Sequence, residues 1–179
     1  MTCIVGIEQG GKVYIGGDSA GVAGYSLTVR ADAKVFTNGP FVMGFTSSFR
    51  MGQLLRYKLT VPEFNDRTDQ IDKFMVTTFV DAVRTCLRDG GFMHKERDAE
   101  KGGTFLVGFR GNLFKIGGDF QVGRPVDGYD ACGCGEEFAL GSLHGSGDDK
   151  PAARVMRALQ AAEHHSAGVA GPFAIEESA

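Results

Sequence analysis

The chain predicts an α+β fold, with strands and helices in separate blocks, on three observations. Short apolar segments closed off by glycines read as strands, and they come in two groups with one more short segment at the end. After each group, apolar residues recur at three- and four-residue spacing, the period of a helix with one buried face. The 27 glycines fall mostly where strands end, with apolar runs between them, which is the pattern of a turn-rich sheet rather than of disorder. The resulting order is strands, two helices, strands, two helices, strand. It does not alternate as a doubly wound parallel sheet would.

Taken in order, the first strand runs from Cys3 to Ile7 and the second from Lys12 to Ile15, with Gln9-Gly10-Gly11 as the hairpin turn. Ala20 to Thr28 is small and polar with glycines, and reads as a loop or irregular ribbon. Ala33 to Thr37 and Phe41 to Phe45 form a second hairpin about Asn38-Gly39-Pro40. Thr46-Ser47-Ser48 offers N-cap hydroxyls to a helix carrying Phe49, Leu54, Leu55 and Leu59, and Val61 to Asp66 breaks it. A longer helix starts near Thr68 or Asp69. It places Ile71, Phe74, Met75, Phe79, Val83, Cys86 and Leu87 on one face and stops at Gly90-Gly91.

His94 to Lys101 has charges of both signs and no apolar face, so it reads as a solvated loop, with docking of a partner as the lesser alternative. The second group of strands is Thr104 to Phe109, Leu113 to Ile116, Phe120 to Val122 and Tyr129 to Cys132. A helix over Glu136 to His144 follows. Another starts at Asp148-Asp149-Lys150-Pro151, where proline suits a first turn, and has Val155, Met156, Leu159 and Ala162 on one face. Gly168 to Gly171 breaks the pattern before a last strand, Pro172 to Ile175.

Composition bounds the function. At 179 residues and 42% hydrophobic content, the chain suits one domain over residues 1–179 with a substantial core. A net charge of -3 argues against a nucleic-acid partner. No cationic, apolar leader is present, nor an apolar run near the roughly twenty residues of a membrane span, so the expectation is a cytoplasmic protein with no membrane partner. Cys3, Cys86, Cys132 and Cys134 are scattered. Cys132-x-Cys134 lacks a second Cys/His pair at zinc spacing and reads as a strand end entering a turn. No phosphate-binding loop, dinucleotide fingerprint or HExxH motif occurs, so no cofactor is expected, and any use of ATP would belong to a partner. His164 and His165 close a helix, where its dipole favours cations.

The chemistry concentrates at the start. Thr2 follows Met1 and heads an apolar strand; Gly16-Gly17-Asp18-Ser19 closes the second strand; Lys34 lies in Ala31-Asp32-Ala33-Lys34-Val35. A threonine hydroxyl is a weak nucleophile, but a free α-amine on the same residue titrates near pH 8 and can serve as its base. With only Met1 ahead of Thr2, the expected maturation is removal of one methionine. While Met1 is retained, that base is capped. Each residue alone also has a plain structural reading: a residue that starts a strand, an aspartate in a turn, a lysine on a hairpin.

Thr2 heading Thr2-Cys3-Ile4-Val5-Gly6, Asp18 in its Gly-Gly-Asp-Ser run and Lys34, at these intervals, resemble the N-terminal-nucleophile hydrolases of the proteasome β-subunit and HslV-like type. The similarity continues through Val42 to Ser48 and through Gly133 to Leu140. The resemblance implies two sheets face to face between two helical layers, an αββα sandwich. It implies a threonine peptidase in which the Thr2 hydroxyl attacks a peptide carbonyl and an ester is then hydrolysed by water. Lys34 would lower the pKa of the amine, and Asp18 would hold Lys34 charged and oriented. Ser47 matches the glycine whose N–H serves as oxyanion donor; that glycine's backbone angles are a separate requirement. Val22 falls where the backbone pairs with an extended substrate. Self-compartmentalised homo-oligomeric rings acting on polypeptides, fed by a ring-shaped ATPase, are implied as well.

Three departures bear on activity. Ala20 stands where many relatives have arginine. Cys134 replaces a serine close to the nucleophile, and a thiol is the weaker hydrogen-bond donor. The late aspartate–serine pair has no clear counterpart, with Ser166 the nearest candidate. Two alternatives therefore stay open: a catalytically inactive ring or scaffold protein of the same fold, and an amidohydrolase of the same type acting on a small amide.

Overall fold

The computed structural model describes residues 1–96, 99–147 and 150–178. Its elements in chain order are β1 (Cys3–Gln9), β2 (Lys12–Gly17), β3 (Ala20–Ala23), β4 (Ser26–Val29), β5 (Val35–Asn38), β6 (Phe41–Phe45) and α1 (Phe49–Tyr57). Next, α2 (Ile71–Phe74) runs through a π-helical stretch (Met75–Phe79) into α3 (Val80–Asp89). Then come β7 (His94–Glu96), β8 (Ala99–Lys101), β9 (Phe105–Phe109), β10 (Asn112–Ile116), β11 (Val122–Gly123), β12 (Tyr129–Gly133), α4 (Glu136–His144), α5 (Pro151–His165) and β13 (Ala174–Glu177).

The strands form a four-stranded sheet, β12-β1-β2-β13, and a five-stranded sheet, β11-β10-β9-β6-β5. Every pairing among the described residues is antiparallel. Side chains alternate across a strand, so β1 sends Cys3, Val5 and Ile7 to one face and Ile4 to the other. That alternation, repeated through both sheets, divides the core into three layers. Cys3, Val5 and Ile7 pack with Leu143 of α4 and with Val155, Ala158, Leu159 and Ala162 of α5. Ile4, Val13 and Ile15 meet Val35, Val42, Leu106 and Leu113 between the sheets. Phe36, Phe41, Met43, Phe105, Val107 and Phe109 pack under α1 and the long helix, with Phe41 and Phe109 stacked at 4.2 Å between ring centroids. The molecule is an αββα sandwich, as expected.

Several elements differ from the sequence reading. Ala20 to Thr28 is not an irregular ribbon but the paired strands β3 and β4, with Ala20 opposite Val29 and Val22 opposite Leu27. Because both strands lie outside the main sheets and β4 is exposed, they carry little of the apolar alternation that marks a buried strand. His94 to Lys101 is likewise no loop: His94 pairs with Lys101 and Lys95 with Glu100, while Arg97 and Asp98 lie outside the described residues. Phe120 belongs to a turn at φ 67° rather than to a strand, and β11 is only Val122–Gly123. The last strand begins at Ala174, two residues later than read, in register with β2. Met156 is half-buried, and α5 buries Arg154 beside Val155, where it donates to Ser146 and to the carbonyl of Leu143. The expected helix start at Asp148-Asp149 lies outside the described residues. The long helix begins at Ile71, after Thr68 and Asp69 have bonded back to the carbonyl of Asn65. Leu59 is buried just past the end of α1.

Candidate active site

The site forms where the first residues of β1 meet the ends of three other segments. β1 is central in its sheet, with β2 on one side and β12 on the other, so the register places Gly17 opposite Ile4 and Gly133 opposite Cys3. Gly133 has to be glycine. Its φ is 103°, and a Cβ there would lie 2.2 Å from the Thr2 carbonyl oxygen. The chain then turns through Cys134 and Gly135 into α4, and the Gly135 N–H donates to the same carbonyl.

Asp18 leaves the end of β2 directly beneath Thr2. It is buried, and its carboxylate accepts the Cys3 N–H and the Lys34 ammonium on Oδ1 and the Ala20 N–H on Oδ2, each at 2.9 Å. Lys34, one residue before β5, is 1% exposed. Its ammonium donates to Thr2 Oγ1 at 2.8 Å. Burial pulls the Lys34 pKa below its ordinary value of 10.5, and the Asp18 charge and hydrogen bond push the other way. Thr2 Oγ1 in turn donates to the Met1 carbonyl. With Met1 attached, the Thr2 nitrogen is an amide, and it donates to Cys134 Sγ at 3.2 Å. Ser166, the first residue past α5, donates its hydroxyl to Cys134 Sγ at 3.4 Å. Thr2, Asp18, Lys34, Cys134 and Ser166 are thus brought into one connected group.

Ser47 and Val22 lie on a cleft of about 310 Å³ that opens beside Thr2. Ser47 adopts φ 64°, the left-handed backbone expected where glycine stands in the resembled proteins. Its hydroxyl accepts the Thr104 N–H at 3.1 Å, which ties the turn to β9. Among the described residues the Ser47 N–H has no hydrogen-bond partner. Ser48, not Ser47, caps α1, accepting the Arg50 N–H at 3.1 Å. The N-cap role weighed for Ser47 thus falls to its neighbour. His164 and His165 close α5, as expected, with His165 stacked on Phe138.

Sequence reasoning missed Arg30, Phe45 and Phe49, which also line the cleft. It missed Ser19 too, whose N–H donates to the Ala170 carbonyl and whose hydroxyl donates to that of Pro172, tying the Asp18 turn to the segment before β13. The Gly-Gly-Asp-Ser run was the available signal for Ser19; nothing local marked Arg30. Cys3, Cys86 and Cys132 are buried, and burial pushes the Cys3 thiol up to about 12, leaving Cys134 as the exposed cysteine. Among the described residues no cluster of His, Cys, Asp and Glu could hold a metal ion.

Comparison with solved structures identifies the fold. The chain aligns with Thiobacillus denitrificans BPH at a TM-score of 0.80 and 15% identity, over 98% of this chain and 96% of that one. It aligns with the same protein in complex with epoxomicin at 0.79 and 15%, over 98% and 97%. It aligns with eukaryotic HslV from Trypanosoma brucei at 0.70 and 18%, over 98% of both chains. No protein-family model and no curated protein matches by sequence. Among the described residues no helix is long and apolar enough to cross a membrane.

Proposed function

On this HslV-like, N-terminal-nucleophile hydrolase fold, we propose a threonine peptidase that uses Thr2 after removal of Met1. One observation carries the reading: Lys34 Nζ stands 2.8 Å from Thr2 Oγ1 and 2.9 Å from Asp18 Oδ1, buried, at the second residue of the chain. Loss of Met1 converts the Thr2 amide nitrogen into an α-amine. That amine takes the Oγ1 proton as Oγ1 attacks the substrate carbonyl carbon, and the Ser47 N–H receives the oxyanion. Collapse breaks the C–N bond, the departing amine takes the proton, and an ester on Oγ1 remains. Water, deprotonated by the same α-amine, cleaves the ester and restores Thr2. The Lys34 ammonium disfavours protonation of its neighbour and so keeps the amine basic but uncharged. Cys134 and Ser166 extend a proton path from the amine.

In this reading residues 1–179 are one domain, copies assemble into a homo-oligomeric ring in the cytoplasm, and a ring-shaped ATPase delivers polypeptides. The extended substrate pairs with the backbone at Val22. The test begins with intact mass, which should show loss of one methionine. The trimmed protein should hydrolyse fluorogenic peptides and gain the mass of epoxomicin on incubation; Thr2→Ala should do neither. Epoxomicin is the compound bound by the BPH neighbour. Hydrolysis that survives Thr2→Ala would overturn the assignment of the nucleophile. A folded, trimmed protein that hydrolyses no peptide would favour the scaffold alternative.

A further inference from the structure

The cleft beside Thr2 is lined by two cations, Arg30 and Lys34, and, among the described residues, by no carboxylate. The carboxylates that partner these cations lie outside the lining, Asp18 buried and Asp32 half-exposed. Lys34 is buried, with two of its three donors on Asp18 and Thr2. Arg30 is only half-buried. Its Nε and Nη2 donate to the two oxygens of Asp32 at 2.8 and 2.6 Å, which uses one fork of the guanidinium. Nη1 has no partner among the described residues, so the second fork, Nη1 with the remaining Nη2 hydrogen, is open.

Arg30 is also held in place. Its guanidinium stacks on the Phe49 ring, 3.8 Å from the centroid. Its N–H donates to the Ser19 carbonyl. Its stem lies against Gly21, where a Cβ would come within 2.8 Å of Arg30 Cδ, so a side chain there would push the stem aside. The side chain is 36% exposed. The cleft wall combines the apolar Ala20, Val22, Phe45 and Phe49 with the hydroxyl-bearing Thr28, Thr46, Ser47 and Ser48. Apolar walls strengthen the interaction of a fixed cation with an incoming charge.

We propose that Arg30 makes the cleft select an acidic side chain, glutamate or aspartate, on the residue whose carbonyl carbon Thr2 attacks. This rests on the peptidase reading above. The carboxylate docks end-on to the open fork of Arg30, in the bidentate geometry that guanidinium and carboxylate share. Asp32 stays on the other fork and keeps the guanidinium flat on Phe49.

The experiment uses the Met1-trimmed protein and peptides identical except for Glu, Gln or Leu at that residue. We expect kcat/KM for Glu to exceed that for Gln by about tenfold, the scale of a hydrogen-bonded charge in a partly exposed site. The ratio should shrink as salt rises from about 0.05 to about 0.5 M. Arg30→Met should bring Glu and Gln within about twofold of each other. Asp32→Asn, which removes the compensating charge and keeps the guanidinium, should widen the ratio and serves as the second variant should Arg30→Met not fold. Equal rates for Glu and Gln in the unmodified chain, a preference for Leu over Glu, or a preference for Glu that survives Arg30→Met would each overturn the assignment while leaving the peptidase intact. Hydrolysis of none of the three would overturn both.

Discussion

Replacing Asp18 by asparagine tests the centre of the site. The carboxylate accepts three hydrogen bonds, from Cys3 N, Lys34 Nζ and Ala20 N, and none of the groups involved faces bulk water. An asparagine that keeps its carbonyl toward Cys3 and Lys34 presents its NH2 to the Ala20 N–H, donor against donor. Turned over, it opposes the Lys34 ammonium instead. Either way Lys34 loses its counter-charge. Breaking a buried ion pair from one side costs about 3–5 kcal/mol. For a chain of this length each kcal/mol moves the melting temperature by about 2–4 °C, so the variant should melt about 6–20 °C lower.

The pH dependence adds a sign. Burial holds the Lys34 pKa below 10.5 in the folded chain, and removing Asp18 leaves that depression unopposed. The ion pair exists below the folded pKa of Lys34 and is lost as pH rises through it, so the deficit of Asp18→Asn should shrink with rising pH. The variant's own stability should climb across the window between its lowered Lys34 pKa and 10.5. Thermal melts of both proteins at about pH 6 and about pH 10 measure this. A loss below about 1 kcal/mol, or a deficit that does not change with pH, would refute the reasoning, because either result means that no charged pair stabilises the native state.

Four further outcomes follow from the geometry. Gly44→Ala should lower stability by about 1–3 kcal/mol in a denaturant titration, since its Cβ would lie 2.6 Å from Ile4 Cγ2 and 2.7 Å from Ile15 Cγ2 between the sheets. Ser47→Gly should hold the melting temperature within about 4 °C, the relief of a left-handed φ offsetting the lost bond to Thr104, whereas Ser47→Val should lower it by more. Alkylation of the native chain should add a single adduct, on Cys134, because Cys3, Cys86 and Cys132 are buried; a peptide map after digestion reads this directly. Cys134→Ser, which places a stronger donor 3.2 Å from the Thr2 nitrogen, should raise kcat on peptide substrates by a few-fold without moving KM.

How much of this was legible differs by kind of information. Where a segment is apolar and buried, its extent is written in its residues, which is why the apolar runs of β1, β6 and β9 and the helical spacing of the long helix put them close to where they sit. The pairs β3–β4 and β7–β8, outside the two main sheets, are held by backbone bonds that any residue but proline can make, so polarity misled there. Thr2, Asp18 and Lys34 could be named from their order along the chain, but their meeting depends on β1 lying between β2 and β12 and on β5 crossing in the facing sheet, which no local pattern encodes. The same holds for Ser166, delivered to Cys134 by the end of α5, and for Ser47, whose left-handed turn cannot be read from a serine. Arg30 shows the limit most plainly. As a sequence position it is one more surface cation; the packing of its stem on Gly21 and its guanidinium on Phe49 holds it in the wall of the cleft beside Thr2. The one-dimensional pattern determines which side of each element is buried and which residue types are on hand. Which of them touch is decided when three apolar layers close at once, because that closure, and not local propensity, sets the distances between strand ends.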